Sequence, residues 1–270
     1  MFIDRLIQTI GRLFGMYTQR TAAADCRNTA ISDRMANAIT AWYRLLYGED
    51  VHDGYPVSKT RAAIFITNFA ATLATEELEI STGTGARADF VKQQVARYVL
   101  PELHNNVQTA AAGGEVVLKP FIHNGRILCD AVTADRFYPT RINAAKEVEA
   151  CYFTDYATYN GRDVVRVEFH DMRADGYYIH NEAYYDERGA MKGSFNYHLV
   201  PEWADLEEDT KIEGLDRPLF AVLKMPMANT VDNTSRLPVS MYANSMDAFE
   251  ELDRIYTEFL YEIHTGKRKR

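Results

Sequence analysis

The stretch that decides the fold is Pro218–Arg270, PLFAVLKMPMANTVDNTSRLPVSMYANSMDAFEELDRIYTEFLYEIHTGKRKR. Its first part is punctuated by Pro218, Pro226 and Pro238. Each restricts the residue before it and withholds an amide from any ladder. After Pro238 the punctuation stops, and Tyr242, Met246, Phe249, Leu252, Tyr256, Phe259, Leu260 and Ile263 recur at helical spacing. Asp247, Glu250 and Glu251 near the start and His264, Lys267 and Arg268 at the end follow the helix dipole. Gly266 reads as the stop. A helix over about 240–265 would be roughly 39 Å long at about 1.5 Å per residue. Met246, Phe249, Leu252, Tyr256, Phe259, Leu260 and Ile263 are therefore the candidate subunit-contact stripe. The basic end, Lys267, Arg268, Lys269 and Arg270, reads either as a solvated tail or as a contact with DNA phosphate.

Upstream, the order is helices and then strands. Residues 22–46 put Ile31, Met35, Ile39, Trp42 and Leu46 on one stripe, with Gly48 as a stop. Ser58 to about Glu76 reads as a second helix, carrying Ile64, Phe65, Phe69 and Leu73. Glu77–Ser81 alternates like a short strand. Residues 86–112 form a third helical stretch, broken near Pro101 and ended by Gly113-Gly114. From Glu115 to Tyr197 the signals are strands of roughly 6–9 residues and tight turns. Asn124-Gly125 and Asn160-Gly161 are strong hairpin signals, and Asp175-Gly176 and Arg188-Gly189 turn the chain again. Residues 201–216 are acidic and read as a solvated loop. Helices segregated from an antiparallel meander predict the α+β class. The expected division is a helical part (1–114), a β-meander (115–200), a connector (201–238) and a long helix (239–270).

The 270 residues carry a formal net charge of −8, so the chain is no general magnet for nucleic acid. Three scattered cysteines, Cys26, Cys129 and Cys151, form neither a disulfide framework nor a metal pair. They point to synthesis in a reducing cytoplasm. The N-terminal MFIDRLIQTIGRLFG places Phe2, Leu6, Ile10 and Leu13 at helical spacing among charges, which is an amphipathic helix and no signal peptide. It would dock on its own domain, on a neighbouring subunit, or less favourably on a membrane surface. No run reaches the apolar length of a membrane span.

Motifs of chemistry are sparse. Gly83-x-Gly85-x-x-Ala88 matches a dinucleotide fingerprint, but ELEIS before it is no buried parallel strand, and a loop explains it better. No H-E-x-x-H, G-x-S-x-G or Walker A pattern occurs. His170 and His180 lie on adjacent expected strands and could converge with Glu168 or Glu182 as a metal or catalytic site. The bland alternative is a polar, half-exposed sheet. The aromatics of the meander read as packing, since Tyr and Phe favour strands. These residues suggest no catalytic group, metal or cofactor, and leave a structural or interaction protein.

The run SRLPVSMYANSMDAFEELDRIYTEF (235–259) resembles the portal proteins of tailed bacteriophages, the siphophage type from Gram-positive hosts. GGEVVLKPFI (113–122), ADRFYPT (134–140), VEFHDM (167–172), GYYIHNEAYY (176–185) and VPEWA (200–204) resemble that family's wing region. The resemblance implies the N-terminal half of a portal, with the wing up to about 235 and the last helix leading to the stem. It implies a dodecameric ring at the capsid vertex of a virion assembled in the host cytoplasm. Its partners would be copies of itself, the terminase motor, the capsid or scaffold protein, a head-completion adaptor and double-stranded DNA passing through, with no membrane. It carries no catalytic residue. Another phage head or connector protein, or a metal-dependent enzyme using the His170/His180 face, are the alternatives.

Overall fold

A computed structural model describes residues 30–47, 61–76, 78–123, 125–187 and 191–266. The amphipathic stretch at 2–13, Gly48, Asn124, Arg188-Gly189 and Lys267–Arg270 lie outside the described residues. The chain is α+β and divides into two compact units, each drawn from three stretches. Of the described residues, a sheet unit takes those within 30–37, 134–221 and 232–237, and a helical unit takes those within 38–133, 222–231 and 238–266.

Helix α1 (Asp33–Tyr47) gives its first turn to the sheet unit and the rest to the helical unit. Its expected stripe holds except at its end: Ile31, Met35, Ile39 and Trp42 are buried, whereas Leu46 is half-buried and Tyr43 and Leu45 are buried instead. Burying each such side chain contributes roughly 1.5–3 kcal/mol before entropy is counted. Ser32 caps the helix by accepting from the Met35 amide at 3.3 Å. It also donates to Asp232 at 2.5 Å. That bond and those from Thr234 hold the Asp232 carboxyl down at about 2.

In the sheet unit the strands are β3 (Phe137–Ile142), β4 (Val148–Tyr159), β5 (Arg162–Arg173), β6 (Gly176–Asp186), β7 (Met191–Ser194) and β8 (Asp209–Ile212). They run antiparallel in the order β3-β4-β5-β6-β7, with β8 pairing the other end of β6. The three central strands have 12, 12 and 11 residues, longer than the sequence suggested. Asn160 (φ 49°) and Gly161 (φ 74°) both take the left-handed conformation that a two-residue hairpin demands. The face of β5 bearing Val164 is covered by Phe195, Tyr197, Val200 and Trp203. The acidic stretch 201–216 is therefore more than a solvated loop. Trp203 anchors it in the core, and its backbone completes β6: the Asn181 amide donates to the Glu208 carbonyl at 2.8 Å. The carboxylates of Glu202, Glu207, Glu208 and Asp209 stay outside in water.

The helical unit holds most of α1, then α2 (Ala62–Thr75), α3 (Ala86–Tyr98), a 3-10 turn at Leu100–Glu102 and α4 (Leu103–Gly113). The break at Pro101 and the stop at Gly113-Gly114 fall where the prolines and glycines put them. The hairpin of β1 (Glu115–His123) and β2 (Arg126–Thr133) carries β9 (Ala221–Lys224) on the free edge of β1. Residues 78–81 are not a strand; the Leu78 amide turns back to the Thr75 carbonyl at 3.4 Å, at the end of α2. Gly83 and Gly85 are positive-φ residues of the loop that opens α3, so the dinucleotide pattern lacks its strand.

The last helix, α5 (Met246–Gly266), begins six residues later than expected from Ser240. Ser240 spends its groups elsewhere. Its hydroxyl donates to the Ala111 carbonyl at 3.2 Å and accepts from the Tyr242 amide at 3.0 Å, which closes a turn. The Met241 amide bonds the Ala111 carbonyl at 3.0 Å, and the Tyr242 hydroxyl donates to the Ala63 carbonyl at 3.1 Å. The connector is thus fastened to the C-terminal end of α4 and to α2 before the helix starts.

Candidate functional site

His170 and His180 do not converge. Phe169 faces His180 across β5 and β6, and His170 faces Ile179, so the two imidazoles lie on opposite sides of the sheet. His170 is buried. Its Nδ1 meets the Tyr177 hydroxyl at 2.6 Å and its Nε2 meets Glu168 at 2.8 Å. Glu168 also accepts from Arg166 at 2.8 Å, and Arg166 donates to Asn181 at 2.8 Å. This is a buried polar ladder under Trp203 and Phe220, paired within itself except at the Arg166 Nε, which has no hydrogen-bond partner among the described residues. Among the described residues no His, Cys, Asp and Glu are grouped to hold a metal ion.

On the other side His180 sits between Glu182 at 3.0 Å and Asp209 at 2.7 Å. The hydrogen bond to Glu182, reinforced by Asp209 and opposed by burial, pushes its pKa up from 6.5 to about 9. Folding thus favours the imidazolium, which ties β8 to β6. The stability it adds is whole below pH 6.5 and is lost as pH climbs through about 9. The urea midpoint of the wild type should fall across that interval relative to His180→Gln. Parallel profiles for the two proteins would remove the clasp.

The feature that does stand out is apolar surface. Twenty of the twenty-two large apolar side chains exposed among the described residues belong to the helical unit; Tyr156 and Leu199 are the exceptions. In α2 the large apolar side chains are turned outward: Phe65 is 72% exposed and Phe69 and Leu73 lie out beside it. The buried face is instead Ala63, Thr67 and Ala71, small residues that bring α2 close to α4. Gln108 of α4 reaches Thr67 Oγ1 at 3.3 Å across that contact. No charge interrupts the fourteen residues of α2.

Of the stripe expected on α5, Phe249 is buried against Tyr242, with ring centroids 5.5 Å apart. Met246 and Leu260 are half-buried, and Leu252, Tyr256, Phe259 and Ile263 are exposed. Asp253 is the other buried residue of the helix. Between α2 and α5 runs an open groove of about 240 Å3, lined by Ala62, Ile66, Tyr242, Ala248, Phe249 and Leu252. The exposed surface of α5 carries Asp247, Glu250, Glu251, Glu258 and Glu262 against Arg254, so the helix that forms one wall of the groove is acidic. No helix among the described residues is long and apolar enough to cross a membrane. No protein-family model matches the chain, and no curated protein matches it.

Proposed function

We propose that this chain is a structural subunit that works by packing against copies of itself, and that the assembly is the portal ring of a tailed bacteriophage. The observation that carries the self-packing is the lopsided exposure: among the described residues, apolar surface collects on the helical unit while the sheet unit keeps nearly all of its own covered. Patches of that kind mark protein contacts. The run at 235–259, with its resemblance to portal subunits, supplies the identity of the assembly. On this reading the ring sits at a capsid vertex, receives the terminase motor, the capsid or scaffold protein and the head-completion adaptor, and passes double-stranded DNA without chemistry.

A conduit should not hold what it conducts. With a net charge of −8, the protein is expected not to retard duplex DNA even at low salt. Association is tested by sedimentation and native mass spectrometry over a concentration series, with electron microscopy of the assembled material. Closed rings support the portal reading. A strictly monomeric protein at the highest attainable concentration, or tight duplex binding, would overturn it.

A further inference from the structure

We propose that α3 of one copy docks in the groove between α2 and α5 of the next copy. The contact would join two different surfaces, the kind that propagates around a ring. It rests on the self-association reading above and adds which surfaces meet.

Three observations on the helical unit converge. First, α3 is thirteen residues long and has no buried residue. Isolated helices of that length are marginal in water and owe their stability to packing. The described residues give α3 little cover, which leaves its surface open to a partner. Second, α3 has a shape to offer. Phe90 is 51% exposed at its middle, with Ala86, Gln93 and Arg97 on the same side at helical spacing, and all three are exposed. The groove is a matching recess of about 240 Å3 whose walls are apolar. An aromatic anchor in an apolar pocket, ringed by polar groups, is the usual centre of a protein contact.

Third, the charges match. α3 carries Arg87, Lys92 and Arg97 against Asp89. α5 exposes five carboxylates against Arg254. Two copies of α5 would repel each other, as would two copies of α3, so like-to-like pairing is disfavoured. The unlike pairing brings the basic helix onto the acidic one. Rim charges of this sort govern orientation and approach more than tightness.

The test uses two variants, each with one surface spoiled. Phe90→Glu removes the anchor and Leu252→Glu puts a charge in the groove; both positions are exposed, so the fold should survive. Each alone should raise the concentration for half-association at least about 30-fold. Mixed together they should form a one-to-one pair and stop there, because only one intact contact is left between them. Phe90→Ser and Leu252→Ser replace either variant that loses its helical circular dichroism signal. Wild-type association should also weaken as salt is raised. If the wild type never associates, the self-packing reading falls and this contact with it. If the wild type associates and either variant matches it, or if the mixture stays monomeric, the α3-to-groove contact alone is overturned.

Discussion

Replacing Gly114 with alanine is expected to cost about 3 kcal/mol or more. Gly114 stands at φ 92°, ψ −33°, a backbone state that a side chain strains. A Cβ there would also lie 2.9 Å from the Pro238 carbonyl oxygen and 2.9 Å from the Val239 carbonyl carbon. Both are backbone atoms, so no rotamer change relieves the overlap. Nor can the backbone drift. The Gly114 amide closes α4 on the Ala110 carbonyl at 2.7 Å, and its carbonyl accepts from the Met225 amide at 2.9 Å. The Met241 amide and the Ser240 hydroxyl meanwhile hold residues 238–241 against Ala111. Three stretches distant in sequence meet at this one turn, so a shift breaks hydrogen bonds in each. Gly125→Ala is the control. Gly125 has φ 69° but open space around its Cβ position, so only the conformational strain, about 1–2 kcal/mol, should appear. Urea denaturation of the two variants separates the causes. Equal losses would mean that crowding at Gly114 contributes nothing.

Turn chemistry and helix breaks were the legible part of this fold. Pro101, Gly113-Gly114 and Asn160-Gly161 act through local backbone geometry, which a sequence states directly. The facing of α2 was not legible by periodicity. A helix apolar all round has no polar side to mark the surface. The informative signal was the four-residue spacing of Ala63, Thr67 and Ala71, which lets two helices approach closely. β8 was hidden because an edge strand needs only its backbone, and charged side chains on its outer side are compatible with that. The separation of the two histidines could have been read. In the hairpin where Arg173 faces Gly176, partners always join an odd number to an even one. Two even-numbered residues, one on each strand, must then lie on opposite faces. The stripe of α5 was legible as a stripe, whereas its exposure was not, because spacing alone does not say what lies against a helix face.

Arg166→Met should cost about 3–5 kcal/mol, because it leaves charge behind in the core of the sheet unit. Arg166 is 7% exposed. Its Nη1 donates to Glu168 and to Asn181, both at 2.8 Å, and its Nη2 lies 3.6 Å from Asp155. The guanidinium carbon stands 5.7 Å from the ring centre of Trp203, whose Nε1 donates to the same Asp155 at 2.8 Å. Methionine fills most of the volume, so the loss is electrostatic more than steric. Glu168, at 13% side-chain exposure, keeps its contact with His170 and loses its strongest cation. The second change to make is therefore Glu168→Gln in the Arg166→Met background. Glutamine retains an oxygen for the His170 Nε2 proton but carries no charge. The double variant should recover more than half of the loss, since a buried pair removed together is far cheaper than one orphaned partner. Urea midpoints of the wild type, both single variants and the double variant give the coupling. If Arg166→Met costs under about 1 kcal/mol, water or a neighbouring group already satisfies Glu168. In that case the ladder is not what holds the central strands to the 195–206 segment, and the apolar cluster around Trp203 must do that alone.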